Sequence, residues 1–189
     1  MVLRLVGSEM CIRDRAKNWT LHEHQIRMFK SSECSSQLLI APTGSGKTLA
    51  GFLPTIADLY LNPSQKLHTL YISPLKALAS DIKRNLETPI KELELKISVE
   101  DRTGDTKQSI KKKQRVIPPN ILLTTPESLA LLMSYPEAPS IFSSLKRIIV
   151  DEIHAITESK RGDQLFLAIS NIRKYLSLIH ISEPTRRST

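Results

Sequence analysis

The sequence predicts an α/β fold built on a doubly wound, mainly parallel sheet, and two observations lead to that prediction. Short apolar runs alternate along the chain with longer segments of helical periodicity, which is the pattern of parallel strands joined by crossover helices. Glycines, hydroxyls or carboxylates directly follow several of these runs. Because ligands bind at the carboxyl ends of the strands in open α/β sheets, we expect a single functional edge.

The first and last segments of the chain look foreign to such a domain. Leu5–Arg15 and Leu176–Arg186 can both be encoded by one DNA segment read on its two strands, and this DNA resembles an adapter used to prepare sequencing libraries. We therefore interpret residues 1–15 and 176–189 as adapter scars and exclude them from fold reasoning. The domain then covers residues 16–175, and we expect it to be broken off a longer gene at both ends.

Composition limits the partners of residues 16–175. They carry 22 Lys and Arg against 16 Asp and Glu, a net charge of +6 that suits a polyanion without requiring one. Cys34 is the one cysteine of this stretch, which excludes a disulfide or a cysteine-based metal site within one chain. No apolar run has the length of a membrane span. We expect a cytoplasmic protein with no membrane partner.

The first predicted element is a short helix over Trp19–Phe29. Apolar side chains recur at helical spacing, with Gln25 between them. His22 and His24 are two positions apart and would point to different faces of a helix, so we expect a solvated pair rather than a metal site.

The next segment has the pattern of a phosphate-binding loop. The apolar run Leu38–Ile40 predicts a strand, the loop Ala41–Thr48 follows it, and residues 49–60 read as a helix. Gly44 and Gly46 let the backbone curl so that its N–H groups face phosphate oxygens, beside the positive end of the helix. The alternative is a chance Gly/Ser loop before a helix. We expect a nucleoside triphosphate to bind here.

Side chains of the same loop complete that site. Lys47 is expected to reach the β- and γ-phosphates, and the Thr48 hydroxyl is expected to bind Mg²⁺. The remaining side chains of the loop that are expected at the nucleotide are those of Thr43 and Ser45.

A second strand, His68–Ile72, runs directly into a helix that Pro74 is suited to open. Ser73 and Lys76 lie beside the N-terminus of that helix, where a nucleic-acid phosphate would be favoured. An ordinary strand-to-helix junction is the alternative. The helix is expected to end at Thr88–Pro89.

A third strand is predicted over Leu95–Val99, and the turn Arg102–Thr106 follows it. The turn opens a basic helix whose cations are Lys107, Lys111, Lys112, Lys113 and Arg115. Such a run is usually a solvated face, and the alternative is a surface that follows a phosphate backbone.

Two further strands end in polar residues. Ile121–Thr125 reads as a buried strand whose end presents the hydroxyls of Thr124 and Thr125 before a helix opened by Pro126. Arg147–Glu152 is an apolar run that ends in two carboxylates.

These carboxylates complete the pattern of a P-loop ATPase. Asp151 is expected to hold the same Mg²⁺ as Thr48, and Glu152 to act as the general base for the attacking water. His154 is a candidate for coupling nucleotide state to a neighbouring domain. The alternative is that Asp151 and Glu152 only cap a helix.

Together these segments resemble the first motor domain of Lhr-type superfamily 2 helicases, a DEAD/DEAH-box class. The P-loop and the Asp-Glu-x-His element are specific to the superfamily, and Arg-Thr-Gly-Asp-Thr with Ser-Lys-Arg-Gly narrows the resemblance to the Lhr-like group. The matching segments are the P-loop, Ser73–Ala79, Arg102–Thr106, Thr124–Leu129, Asp151–Ala155 and Ser159–Gly162.

The resemblance implies a RecA-like domain that binds ATP and Mg²⁺. In a full-length protein it implies 3′-to-5′ translocation on single-stranded nucleic acid, with unwinding of duplexes or DNA–RNA hybrids, commonly in repair. Gln25 would then read the adenine edge, although an exposed helix glutamine is the alternative. The residues implied to grip the nucleic-acid backbone are Ser73, Pro74, Lys76, Arg102, Gly104, Thr124 and Thr125.

The chain also departs from that family. It contains neither the Ser-Ala-Thr element nor the second RecA-like domain that supplies arginine fingers. The strand bearing Ser-Ala-Thr lies between the P-loop strand and the Asp-Glu strand in this class of sheet, so we expect poorly covered edges there. The fragment alone is expected to bind ATP–Mg²⁺ weakly and hydrolyse it poorly. A non-catalytic, nucleotide-dependent nucleic-acid-binding module is the main alternative, and a P-loop ATPase acting on proteins is a third.

Overall fold

The computed structural model describes residues 22–30, 36–40, 45–92, 94–157 and 160–181. These residues belong to two compact units, one ending at Asn62 and the other beginning at Pro63.

The first unit contains two helices that pack together. Helix α1 spans Glu23–Lys30, and α2 spans Lys47–Leu61. Both helices agree with the predicted ones, although the predicted start of α1 at Trp19 lies outside the described residues. In α2, the described side chains from Phe52 to Ala57 are all buried.

The strand predicted over Leu38–Ile40 is not present. Residues 36–40 have no regular secondary structure, and the side chains of Leu38 and Ile40 are 74% and 86% exposed. An apolar run becomes a strand only when a neighbour accepts its backbone hydrogen bonds and its side chains are covered. The side chains of Leu38 and Ile40 are not covered in this way, and the prediction of a strand here was therefore wrong.

The second unit is built on a parallel sheet. Strand β1 spans Thr69–Ile72, β2 spans Val99–Arg102, β3 spans Ile121–Thr124 and β4 spans Arg147–Val150. Within the described residues the strand order is β2-β3-β1-β4, and every pairing is parallel. All four strands therefore end at the same edge, as the predicted fold class requires.

Six helices accompany these strands. They are α3 (Lys76–Glu92), α4 (Gln108–Val116), α5 (Pro126–Met133), α6 (Ala138–Phe142), α7 (Ile153–Thr157) and α8 (Lys160–Ile181), counted over the described residues. No helix in that part of the chain has the length and apolarity of a membrane span.

The hydrophobic core lies on one face of the sheet. Leu70, Ile72 and Leu122 project from the strands into a cluster with Phe142 and Ile172. Helix α8 packs against α5, α6 and α7, so that α8 supplies the outer layer of this cluster. Since side chains alternate along a strand, Tyr71 points to the other face, the face shared with Leu123 and Ile149 opposite it.

The bounds of one strand and one helix differ from the predicted ones. The strand expected over Leu95–Val99 lies at Val99–Arg102. Charged residues are tolerated in this strand because they have partners, as when Asp101 accepts a hydrogen bond from Lys83 Nζ at 2.7 Å. Helix α3 continues through position 89 to Glu92 instead of ending at Thr88–Pro89. Ile90 is buried, and the free energy of this burial offsets the cost of the backbone hydrogen bond that a proline removes.

The β4 edge of the sheet is open. Within the described residues β4 pairs only with β1, and each of its four residues is partly exposed. The carboxylates of Asp151 and Glu152 directly follow this edge strand, so the position of β4 determines theirs.

Candidate nucleotide and nucleic-acid sites

The first candidate site lies at the N-terminus of α2. Gly46 precedes this helix with φ of +79°, a left-handed conformation that favours glycine. Its carbonyl oxygen accepts a hydrogen bond from Gln25 Nε2 at 3.1 Å. A Cβ atom at position 46 would lie 2.5 Å from the same nitrogen, so a side chain here would displace the Gln25 amide.

Residues beside Gly46 suit an anionic ligand. Lys47 and Thr48 are the first two residues of α2, and Gly46 carries no side chain that could cap the helix N–H groups. The Ser45 hydroxyl is buried and has no hydrogen-bond partner in the part of the chain that is described. The Ser45 hydroxyl and the uncapped N–H groups of α2 are hydrogen-bond donors that could bind the acceptor oxygens of a phosphate chain. Thr43 and Gly44 lie outside the described residues.

Gln25 is buried, so the alternative of an exposed helix glutamine was wrong. Its Oε1 accepts from the backbone N–H of His22 at 3.0 Å, while Nε2 donates to Gly46. One N–H and one lone pair of the amide remain for another ligand, which is what recognition of an adenine edge requires.

The His22 and His24 rings do not point to different faces as expected. They stack with their centroids 5.4 Å apart and their planes at 10°. The helical argument fails because α1 begins only at Glu23, which leaves His22 outside the helix. No group of three metal-ligating side chains occurs among the described residues.

The second candidate site lies at the carboxyl end of β4. The backbone N–H of Asp151 donates to Ile72 O at 2.9 Å, which continues the pairing with β1 by one step. Two donors hold the Asp151 carboxylate: the Tyr71 hydroxyl is 2.6 Å from Oδ2, and the backbone N–H of Glu152 is 2.9 Å from Oδ1. Burial, and then the Asp151 carboxylate, raise the pKa of the Tyr71 hydroxyl far above its usual value, so Tyr71 remains a donor.

The residue after this carboxylate has an unusual backbone conformation. Glu152 has φ of +49°, which few residues other than glycine adopt. Its Oε2 lies 3.4 Å from Nε2 of His154, whose side chain is mostly exposed. A left-handed glutamate between a strand and a helix stores backbone strain, and such strain concentrates at functional sites.

The Asp151 carboxylate suits a hard divalent cation. It is an acceptor-only group, and each of its oxygens keeps a lone pair beyond the hydrogen bond it already accepts. Oxygen ligands of this kind are what Mg²⁺ prefers.

The loops that follow β1 and β2 meet at the same edge. Lys76 Nζ lies 2.9 Å from Asp105 Oδ1, and both side chains are largely exposed. Gly104 is exposed beside them, and a Cβ there would lie 3.1 Å from Lys76 Nζ. Of the residues predicted to contact nucleic acid, Lys76 and Gly104 are the exposed ones.

Arg102 has a different environment from the one expected of a backbone contact. Its side chain is 1% exposed, and its Nη1 donates to Lys111 O at 2.9 Å and to Gln114 Oε1 at 3.3 Å. Its Nη2 has no partner among the described residues, and burial lowers the pKa of the guanidinium. Arg102 is the last residue of the outer strand β2, and its hydrogen bonds to Lys111 and Gln114 hold α4 in place.

The other predicted contacts are also buried and serve the loops. Thr124 Oγ1 donates to Arg102 O at 2.8 Å, and the Thr125 side chain caps α5 by accepting from Ser128 N at 3.4 Å. Ser73 and Pro74 are buried, and the backbone N–H of Ser73 donates to Thr124 O at 3.0 Å.

The basic helix α4 has two faces. Lys111 is buried and its Nζ donates to Gly104 O at 3.1 Å, whereas Lys112 and Lys113 are exposed. Arg115 lies over the Tyr135 ring, 4.2 Å from its centroid, and close to the Glu137 carboxylate. The run is therefore partly structural and partly a solvated cationic face.

Sequence reasoning missed two residues of these sites, Tyr71 and Asp105. The signal for Tyr71 was available, since a phenol inside a buried strand needs a polar partner at the strand end. Asp105 lies within a turn that was recognised, but its pairing with Lys76 depends on the order of the strands.

Comparison with known sequences gives consistent matches. Residues 22–187 match the family described as DEAD/DEAH box helicase. The chain is 41% identical over 153 residues to ATP-dependent helicase Lhr-Core protein 2 of Thermococcus barophilus, covering 72% of this chain and 18% of that protein. It is 42% identical over 158 residues to the Lhr helicase/probable uracil glycosylase of Mycolicibacterium smegmatis, covering 77% of this chain and 10% of that protein. The chain thus spans a fifth or less of these relatives.

Solved structures agree with these matches. A structure of Mycobacterium smegmatis helicase Lhr bound to ssDNA and AMP-PNP has a TM-score of 0.73 at 40% identity, over 80% of this chain and 21% of that one. The DEAD-box helicase Mss116 bound to ssRNA and UDP-BeF has a TM-score of 0.69 at 23% identity, over 80% of this chain and 32% of that one. Together with the parallel sheet, these likenesses give the fold as that of a RecA-like domain.

Proposed function

Because the chain belongs to the DEAD/DEAH box helicase family, we propose that it is the first motor domain of a longer Lhr-type helicase. The whole protein would bind ATP and Mg²⁺ and would couple ATP hydrolysis to translocation on a nucleic-acid strand and to unwinding. We extend the proposal to action in DNA repair, which rests on the family resemblance, and in the cytoplasm, which rests on the single cysteine of residues 16–175.

The observation that carries the proposal is the position of Asp151 and Glu152. They follow β4 at the edge where β1 and β3 also end, and Glu152 is held in a left-handed conformation. Asp151 has free lone pairs for a cation, and Glu152 is half-buried beside it. This is the arrangement that a metal-assisted phosphate hydrolysis needs from its carboxylates.

Each residue then takes one part of the chemistry. Lys47 and the backbone around Gly46 would bind phosphate oxygens, with Thr43, Gly44 and Ser45 in the same loop. Thr48 and Asp151 would hold Mg²⁺, which when bound supplies positive charge that offsets the charge of the transferred phosphate. Glu152 would accept a proton from the attacking water, and His154 would stay near the Glu152 carboxylate.

Nucleic acid is the proposed partner of the loops after β1, β2 and β3. A relative 40% identical to this chain is described as bound to ssDNA and AMP-PNP, and this likeness supports nucleic acid as the partner of this chain. Lys76, Gly104 and the exposed lysines of α4 would contact phosphates directly. The buried residues among the predicted contacts would fix the conformation of those loops; they are Arg102, Thr124, Thr125, Ser73 and Pro74.

ATP turnover by the full-length protein, with and without single-stranded DNA or RNA, tests this function. We expect turnover to rise when a strand is added and to be lost in Lys47→Ala. Lys91→Ala is the matched control, because Lys91 is an exposed lysine whose partner is Glu87 on the same helix. Turnover that no DNA or RNA changes would contradict the helicase proposal and favour an ATPase that acts on proteins. Nucleotide-dependent strand binding without turnover would favour a non-catalytic module.

A further inference from the structure

The Tyr71 hydroxyl has a defined place in this fold. Tyr71 is 1% exposed in β1, opposite Ile149 of β4, and it lies on the sheet face away from the main core. Asp151 follows Ile149 by two residues and continues the pairing of β4 with β1. The two side chains therefore lie on the same face, and the phenol reaches Asp151 Oδ2 at 2.6 Å.

We propose that Tyr71 is a positioning residue for the metal ligand Asp151, a role that rests on the proposed function of that carboxylate. The Tyr71 hydroxyl and the Glu152 N–H hold one carboxylate oxygen each, at 2.6 Å and 2.9 Å. Two donors on two oxygens fix the plane of the carboxylate. Each oxygen keeps a lone pair, which a cation can use without a prior rotation of the side chain.

Each of the two donors constrains the carboxylate differently. The Glu152 N–H belongs to the neighbouring residue and moves with Asp151, so it cannot fix the side chain relative to the sheet. Tyr71 lies in β1, which pairs with both β3 and β4, and its ring is buried. Among the described residues, the phenol is therefore the donor that ties the carboxylate to the centre of the sheet. Groups that orient metal ligands in this way typically change metal affinity by about 10- to 100-fold when removed.

The test is a metal titration on the full-length protein. A fluorescent ADP analogue is held at a fixed concentration, and Mn²⁺ is added as the probe in place of Mg²⁺. In Tyr71→Phe, we expect the Mn²⁺ concentration for half-maximal nucleotide binding to rise about 10-fold. Binding of the nucleotide without metal is expected to be unchanged, because the inferred effect of the phenol on the nucleotide passes through the Asp151 carboxylate.

Two further variants separate positioning from a structural role. Tyr135→Phe is the matched control and should titrate as wild type, since its ring contacts Arg115 and not the Asp151 carboxylate. In Asp151→Asn, adding Tyr71→Phe should cause no further change in metal dependence, because two residues that act through one carboxylate are not additive. Phenylalanine keeps the aromatic ring at position 71. An unchanged melting temperature of Tyr71→Phe without nucleotide or metal verifies that the ring still packs as in the wild type.

The outcomes are distinct. A Tyr71→Phe protein that titrates with Mn²⁺ as wild type does would overturn the inference and leave the proposed function intact. The same fold-change from Tyr71→Phe in the Asp151→Asn background would overturn it as well, because the effect would not pass through Asp151. A wild-type protein whose nucleotide binding shows no dependence on Mn²⁺ would overturn both the inference and the proposed role of Asp151.

Discussion

Lys76 Nζ lies 2.9 Å from Asp105 Oδ1, and this ion pair joins the first residue of α3, the helix after β1, to the turn after β2. Both side chains are more than half exposed, at 51% and 77%. An ion pair in such a setting contributes at most about 1 kcal/mol to stability, because water and salt screen it. The ion pair has a larger effect on the local charge, since Asp105 neutralises the Lys76 ammonium, which is proposed to bind a nucleic-acid phosphate.

Lys76→Ala should weaken single-strand binding about equally for all sequences. The dependence of log affinity on log salt concentration should become shallower by about 0.7, the slope that one phosphate contact contributes on a single strand. Asp105→Asn should strengthen binding by about threefold, because it frees the ammonium and removes a negative charge at a cost below about 1 kcal/mol. Binding measured at several salt concentrations on the full-length protein checks both.

Lys91→Ala serves as the control for that series, because its lysine lies in the last turn of α3 and pairs with Glu87. A salt dependence that stays the same in Lys76→Ala would show that Lys76 meets no phosphate.

Arg102→Ala should act on stability rather than on nucleic acid directly. The buried guanidinium donates to Lys111 O and Gln114 Oε1, and hydrogen bonds from a charged donor contribute about 1.5–3 kcal/mol each. We therefore expect amide hydrogens of residues 108–116 to exchange at least about 10-fold faster in the variant. Hydrogen exchange followed by mass spectrometry measures this change.

Lys112→Ala is the matched control in the same helix, because its side chain is exposed. If Arg102→Ala instead left the exchange of α4 unchanged and made the salt dependence of strand binding shallower, Arg102 would be a direct phosphate contact after all.

Gln25→Ala should lower the affinity for GTP, and the affinity for ATP by a larger factor, because the amide both supports Gly46 and keeps a donor and an acceptor for an adenine edge. The Gln25 amide supports the Gly46 carbonyl in the phosphate-binding loop, and a lost hydrogen bond of about 1 kcal/mol corresponds to about fivefold. Glu23→Ala, an exposed neighbour in α1, should leave both affinities unchanged. Loss of ATP affinity alone would mean that Gln25 serves only to recognise the adenine base.

The interpretation of the chain ends has its own test. Sequencing the source DNA outward through the Tyr175 junction, without library adapters, should show the reading frame continuing into a Ser-Ala-Thr element and a second RecA-like domain. A stop codon close to Tyr175 would instead favour the nucleotide-dependent binding module.

The fold class, the strands at the sheet centre and a glycine-dependent turn before α2 could be predicted because local patterns carry them. The run Ile121–Thr124 is apolar on both faces, and Gly46 has a left-handed φ of +79° that favours glycine. The prediction of a strand at Leu38–Ile40 was wrong because a strand depends on its neighbours, which a local apolar pattern does not specify.

Side-chain directions were harder to predict than elements. Arg102 was expected in a solvent-exposed turn, yet β2 ends at this residue and turns its side chain under α4. The Tyr71 contact with Asp151 joins positions 80 residues apart, and it exists only because β1 and β4 are adjacent. No local pattern encodes that adjacency, which the order of the whole sheet determines.

The most direct test of the central claim is ATP hydrolysis by Glu152→Gln in the full-length protein, with ATP-dependent binding of a single strand measured in the same sample. If Glu152 is the general base, hydrolysis should fall by about 100- to 10,000-fold while ATP-dependent strand binding persists. A Glu152→Gln protein that hydrolyses ATP at the wild-type rate would contradict the assignment of the catalytic centre to the carboxyl end of β4.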